Sequence, residues 1–168
     1  LIQFSKKKNS LISIELIISD NPKAKGLKFG KIYKISNKVF NYKNRIIAEK
    51  KIISEVSNKK IKLICLAGFM KILSRDFIKS FKGKILNIHP SLLPKYKGLN
   101  THQRAISNSE KYSGCTVHIV NSRLDSGKII LQKKVKISKS DTAKSLAKKV
   151  LIEEHKLYPK AIRKIFSF

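Results

Sequence analysis

A chain of 168 residues is long enough to bury one hydrophobic core without disulfide or metal staples, so a single domain spanning residues 1–168 is expected. Lysine and arginine outnumber aspartate and glutamate 38 to 10, for a net charge of +28. Only Arg45, Arg75, Arg104, Arg123 and Arg163 carry guanidinium groups, however, and the lysines are spread along the whole chain. Readers of bases and phosphates favour clustered arginine forks, which makes a basic nucleic-acid-binding module the weaker reading and leaves a general attraction to phosphorylated small molecules.

In chain order, Leu1 to Lys8 has the character of a helix end, and Ile12 to Ser19 reads as a buried strand followed by a turn at Asp20-Asn21-Pro22. A second short strand fits Lys31 to Ile35. Tyr42 to Val56 repeats Ile46, Ile47, Ile52, Ile53 and Val56 at helical spacing, and Ile61 to Ala67 is the continuous apolar run of a central parallel strand. Gly68 to Leu73 follows that strand's carboxyl end, where open α/β sheets bind ligands; an apolar loop capping the core is the competing reading.

Ile85 to Ile88 is another short strand, stopped by Pro90 and Pro94. Gln103 to Asn108 suits a short helix, and Gly114 to Val120 a strand with Thr116 and His118 on one face. Lys128 to Val135 reads as an antiparallel edge strand. Asp141 can cap a helix whose stripe is Ala143, Leu146, Ala147, Val150 and Leu151, with Pro159 kinking it or starting another. Strands alternating with helices favour a doubly wound α/β sheet.

Cys65 and Cys115 sit in apolar runs without paired spacing, as buried reduced thiols would. His89, His102, His118 and His155 lack the spacing of zinc ligands, and no metal is expected. No run has the length of a membrane span and the start lacks a secretory core, so a cytoplasmic protein without membrane contact is expected.

The chemistry concentrates in Asn87-Ile88-His89-Pro90. Asn87 and His89 are two apart and project from the same face of an extended backbone. An amide can donate to a developing oxyanion, and a neighbouring imidazole can move a proton near neutral pH. Leu124-Asp125-Ser126-Gly127 adds a carboxylate. Asp125 is either a turn former or a partner that favours the charged imidazole; its own residues leave both open.

Asn87, His89 and Asp125, with Pro90-Ser91-Leu92-Leu93-Pro94 between them and the Leu-Asp-x-Gly turn, resemble the formyltransferase family that uses 10-formyltetrahydrofolate, from about Leu1 to about Ile165. The resemblance implies a mostly parallel, twisted sheet flanked by helices, Rossmann-like in winding. It implies formyl transfer to the amine of glycinamide ribonucleotide in purine biosynthesis, with 10-formyltetrahydrofolate as cosubstrate and His89, Asn87 and Asp125 as catalytic residues. Folate would be held by Arg45, Met70, Lys71, Ile72, Leu73 and Asn87, and glycinamide ribonucleotide by Pro90 and Glu154. Gly68, Thr116 and His118 would lie at the pocket's periphery.

The family commonly has Arg at the position of Lys71, so a guanidinium contact would be lost there while backbone contacts survive. Family members open with a strand and a Gly-Ser-Asn loop, a phosphate site at a helix N-terminus; Leu1 would directly follow that loop, so the expectation is an N-terminally incomplete domain. Partners implied are the two small-molecule substrates, with the chain a monomer or weak homodimer. A formyltetrahydrofolate deformylase or a methionyl-tRNA formyltransferase-like enzyme is the alternative within the family.

Overall fold

The computed structural model describes residues 1–166, which group into two compact units: residues 2–62 with 73–83, and Leu1 with 63–72 and the chain from Lys84 onward.

In the first unit, α1 (Ile2–Ser5) is a single turn that buries Phe4, and β1 (Leu16–Ser19) runs parallel to β2 (Ser36–Val39). The strand expected at Lys31 to Ile35 is not there. Instead α2 (Lys25–Ile32) occupies its first residues, the chain turns through Lys34 at φ 54°, and β2 starts at Ser36. Ile32 and Ile35 therefore straddle a helix end, and the Asn37 amide ties β2 to it by donating to the Leu27 carbonyl at 2.9 Å.

The predicted crossover helix is α3 (Arg45–Asn58), capped by Asn44, whose side chain accepts from Ile47 N at 3.1 Å. Ala48, Ile52 and Val56 form its buried stripe. Glu49 is also buried there, and both its oxygens are used: one accepts from Ser74 N at 2.9 Å and the other from the Ser74 hydroxyl. Ser74 in turn caps α4 (Arg75–Ser80) by accepting from Phe77 N at 3.0 Å.

The second unit holds a four-stranded sheet, β3 (Leu63–Leu66), β4 (Lys84–His89), β5 (Tyr112–Ile119) and β6 (Ile129–Lys136), in that spatial order. β3 and β4 are parallel, and the next two pairings are antiparallel, with β6 at the edge as its sequence suggested. With the parallel pair β1 and β2 and the intervening helices, this is the α/β class read from the strand–helix alternation. The connection from β4 to β5 contains α5 (Thr101–Ser107), and the chain closes with α6 (Ala143–Phe166).

Leu146, Val150 and Ile162 of α6 are fully buried, as are Leu86 of β4 and Val117 of β5; each such side chain contributes roughly 1.5–3 kcal/mol by leaving water. Helix α6 continues through Pro159 without starting anew, with Tyr158, Ala161 and Ile162 buried around it. The Tyr158 hydroxyl lies 3.0 Å from the carbonyls of Leu66 and Leu86, one on each neighbouring strand. Cys115 is buried and Cys65 half-buried; burial pushes their thiols up to about 12 and about 11. Among the described residues no helix is long and apolar enough to cross a membrane.

The cap of α6 falls one residue later than expected. Thr142 and Ser145 exchange hydrogen bonds, each backbone N–H donating to the other's hydroxyl at 3.0 and 3.2 Å. Asp141 braces this box, accepting from Ser145 Oγ at 2.7 Å, Ser138 N at 2.8 Å and Lys149 Nζ at 2.7 Å. Lys149 first, then Ser138 and Ser145, hold the Asp141 carboxyl down at about 2. A carboxyl lowered on folding stabilises the protein above its unfolded value, near 3.9, and that contribution is lost as pH falls through the folded one. Asp141→Asn should therefore lower Tm at pH 6, with the two melting curves converging as pH approaches about 2.

Candidate active site

Buried polar side chains are the informative ones; besides Thr101 and Ser113, those of the second unit are His89, Ser91, Thr116, His118 and Asp125, all at or linked to the end of β4. His89 is the last residue of β4 and pairs with Thr116 on β5, while Asn87, two residues earlier, pairs with His118. The antiparallel register thus puts Asn87, His89, Thr116 and His118 on adjacent strands.

Asp125 comes to them from the turn after β5, at φ 43°. Its Oδ2 is 3.3 Å from His89 Nδ1, and its Oδ1 is 3.6 Å from His118 Nε2. Oδ2 also accepts from Gly98 N at 2.9 Å. Burial alone would raise this carboxyl, but hydrogen bonds from His118 and Gly98 and the charges of the two imidazoles outweigh it, leaving Asp125 below its ordinary value. It is ionised at neutral pH. Asp125 thus lies in the turn and also faces an imidazole.

The other nitrogen of His89, Nε2, lies 2.8 Å from the Tyr96 carbonyl. A carbonyl only accepts, so Nε2 carries a hydrogen. With acceptors at both ends of the ring, the arrangement suits an imidazolium that donates twice. His118 Nδ1 donates to the Ile119 carbonyl at 3.0 Å, which turns its Nε2 toward Asn87 Nδ2 at 3.4 Å.

The loop after His89 is held by a second layer of buried bonds. Thr116 Oγ1 donates to the Ser91 carbonyl at 2.6 Å and accepts from Leu93 N at 3.1 Å, and Gln132 Nε2 donates to the Leu93 carbonyl at 2.8 Å. Thr116 is therefore a support for the loop and not a group facing the carboxylate.

The remaining candidates are placed less closely. Pro90 is half-buried directly after His89. Gly68, at φ 66°, opens the loop after β3, and Met70, Lys71 and Ile72 on that loop are exposed, Met70 by 72%. Glu154 on α6 is half-buried, its carboxyl pushed up by burial, and makes no hydrogen bond or ion pair to the His89 cluster. Arg45, exposed at the start of α3, and Leu73, buried, belong to the first unit. Tyr96 and Gly98 enter through backbone atoms, which no side-chain pattern announces; the only trace in the sequence is a glycine where the chain needs φ 78°.

A buried carboxylate–imidazole pair beside an amide, at the carboxyl end of a parallel strand, brings together the groups that general acid–base catalysis of acyl transfer draws on. Residues 1–162 match the formyl transferase family, and the chain belongs to that family. It is similar to a phosphoribosylglycinamide formyltransferase of Haemophilus influenzae, 42% identical over 153 residues, which cover 89% of this chain and 72% of that protein. A crystal structure of the phosphoribosylglycinamide formyltransferase of Brucella melitensis superposes with a TM-score of 0.92 at 40% identity, covering 98% of this chain and 86% of that one. The human trifunctional purine biosynthetic protein adenosine-3 is 39% identical over 170 residues; the match takes in 99% of this chain but only 17% of that protein's length.

Proposed function

We propose that this chain transfers the formyl group of 10-formyltetrahydrofolate to the amine of glycinamide ribonucleotide, giving formylglycinamide ribonucleotide on the purine-biosynthetic route to IMP. The observation that carries the reading is the buried His89–Asp125 pair, 3.3 Å apart, beside Asn87 at the end of β4 in a chain of this family.

In the proposed mechanism the amine attacks the formyl carbon and negative charge builds on its oxygen, where the Asn87 amide and the His89 imidazolium donate hydrogen bonds. The bond to the folate nitrogen then breaks, and His89 gives that nitrogen its proton. Because His89 Nε2 rests on the Tyr96 carbonyl, the reacting groups exchange for that carbonyl during the step. Asp125 keeps the ring oriented through Nδ1 and helps draw a proton from the attacking amine; that proton passes through water to Nε2, the nitrogen left bare when His89 protonates the folate nitrogen, so that His89 is recharged. Protons and formyl group balance without a metal or redox step.

On this reading Met70, Lys71 and Ile72 contact folate along the exposed loop after β3, with Asn87 reaching the formyl group and Gly68 setting the loop's turn. Pro90 and Glu154 serve glycinamide ribonucleotide, and Thr116 and His118 stand behind the reacting groups. The exposed apolar side chains of Met70 and Ile72 support the first assignment, since an isolated loop gains nothing by presenting them to water.

The test is incubation of the purified chain with 10-formyltetrahydrofolate, with and without glycinamide ribonucleotide, and mass spectrometry of the products. Formylglycinamide ribonucleotide that forms only when the amine is present is the expected result. Formate released at the same rate with or without the amine would instead identify a deformylase.

A further inference from the structure

We infer that Tyr96 is a positioning residue for His89: its side chain is clamped by groups from α5 and the turn after it, so that its backbone carbonyl fixes how the His89 ring is turned before the reacting groups take that carbonyl's place. The inference deepens the proposed function and rests on His89 as that reaction's proton donor.

Tyr96 sits at φ 57°, a left-handed conformation that is uncommon for an aromatic residue and persists only where surrounding contacts impose it. Those contacts are specific. The phenol hydroxyl donates to Glu110 Oε1 at 2.8 Å and accepts from Asn108 Nδ2 at 3.0 Å. The Arg104 guanidinium lies 5.1 Å from the ring centroid and also donates to the Lys97 carbonyl at 2.7 Å, gripping the residue that follows Tyr96. Lys95 Nζ pairs with the same Glu110 oxygen at 2.6 Å. Lys95, then the Tyr96 hydroxyl, hold the Glu110 carboxyl below its ordinary value, so it accepts at neutral pH.

On the other side of the residue, the Tyr96 carbonyl faces His89 Nε2 at 2.8 Å, opposite the Asp125 carboxylate at Nδ1. Two acceptors at opposite ends of an imidazole fix its rotation; a single one leaves a ring whose second torsion is broad and nearly two-fold. Glu110 and Asn108 make no hydrogen bond to Asn87, His89 or Asp125, so their effect on the reaction passes through Tyr96.

The experiment uses the full chain and three variants: Tyr96→Phe, which keeps the ring under Arg104 and loses the hydroxyl; Glu110→Ala, which removes its acceptor; and Glu110→Gln, which retains one. Histidine 1H–15N spectra without substrates and steady-state kinetics with both substrates are recorded for each. Expected are a directly observed His89 Nε2–H in the wild type, its weakening in Tyr96→Phe and Glu110→Ala, and a fall in kcat of about tenfold in both with KM nearly unchanged. Glu110→Gln should restore both readings. An unchanged His89 spectrum in Tyr96→Phe overturns the inference, whether or not kcat falls, because a drop without it would reflect structure elsewhere. If the wild-type chain transfers no formyl group, the functional reading fails and the spectra alone still decide the role of Tyr96.

Discussion

His89→Ala is expected to lower formyl transfer by about 100- to 10,000-fold, and Asp125→Asn by a comparable factor, because each removes half of the unit that holds and delivers the proton. The two losses should not add: without His89 the carboxylate has nothing to orient, so the double variant should resemble the more damaged single one. Asp125→Asn keeps shape and removes charge, a change acid cannot reproduce cleanly, since the Asp125 carboxyl already lies below its ordinary value. Both side chains are buried, at 7% and 8% exposure. Each variant should therefore fold with a lowered Tm, as buried acceptors at Tyr96 or donors at Gly98 and His118 lose partners at a cost of about 1–3 kcal/mol. Circular dichroism and thermal melts establish the folded fraction, and turnover is measured well below the melting transition. Near-normal turnover in either variant would remove that residue from the mechanism.

The parts of the site that strand periodicity controls were legible in the sequence. Asn87 and His89, two apart on an apolar strand, do share a face, and Thr116 and His118 pair with them across the β4–β5 ladder. What pattern reading could not supply is the register between β4 and β5, which alone brings His118 Nε2 to 3.4 Å from Asn87. Asp125 stayed ambiguous for a similar reason: a turn and a charge partner use the same residue type, and only the fold adds the imidazoles. Backbone participants such as Gly98 N and the Tyr96 carbonyl have no side-chain signature at all. Local structure failed where a turn split an apolar run, as at Lys34 with φ 54°, and where an element was too short to show a period. Helix α4 had its own Ser74 cap, but its six residues carry too little periodicity to announce a helix.

Gly127→Ala is expected to be nearly as damaging to turnover as Asp125→Asn, and more damaging to stability, although residue 127 touches no substrate in the proposed mechanism. A Cβ built at Gly127 would lie 1.6 Å from the Ile119 carbonyl oxygen and 2.7 Å from its carbon, with His118 Nδ1 at 3.5 Å. The obstacle is backbone and cannot rotate away. That backbone is also anchored, because Ile119 N donates to the Lys128 carbonyl at 2.9 Å and its own carbonyl receives His118 Nδ1 at 3.0 Å. Admitting a methyl group must push the Asp125 turn away from the end of β5, at a cost of roughly 1–3 kcal/mol or more. The same displacement lengthens the 3.3 Å contact between Asp125 and His89, and a misplacement near 1 Å costs catalysis on the order of a hundredfold. Gly98→Ala supplies the contrast. Gly98 sits at φ 78°, but the nearest atom to its added Cβ would be Leu124 Cδ2 at 3.7 Å, so only the left-handed backbone resists, at about 1–2 kcal/mol. Melting curves and kcat for the two variants separate the effects: Gly98→Ala should lose stability with a smaller loss of turnover, while Gly127→Ala should lose both. Equal behaviour of the two variants would mean that close approach to Ile119 is not what the Leu-Asp-x-Gly turn requires of its glycine.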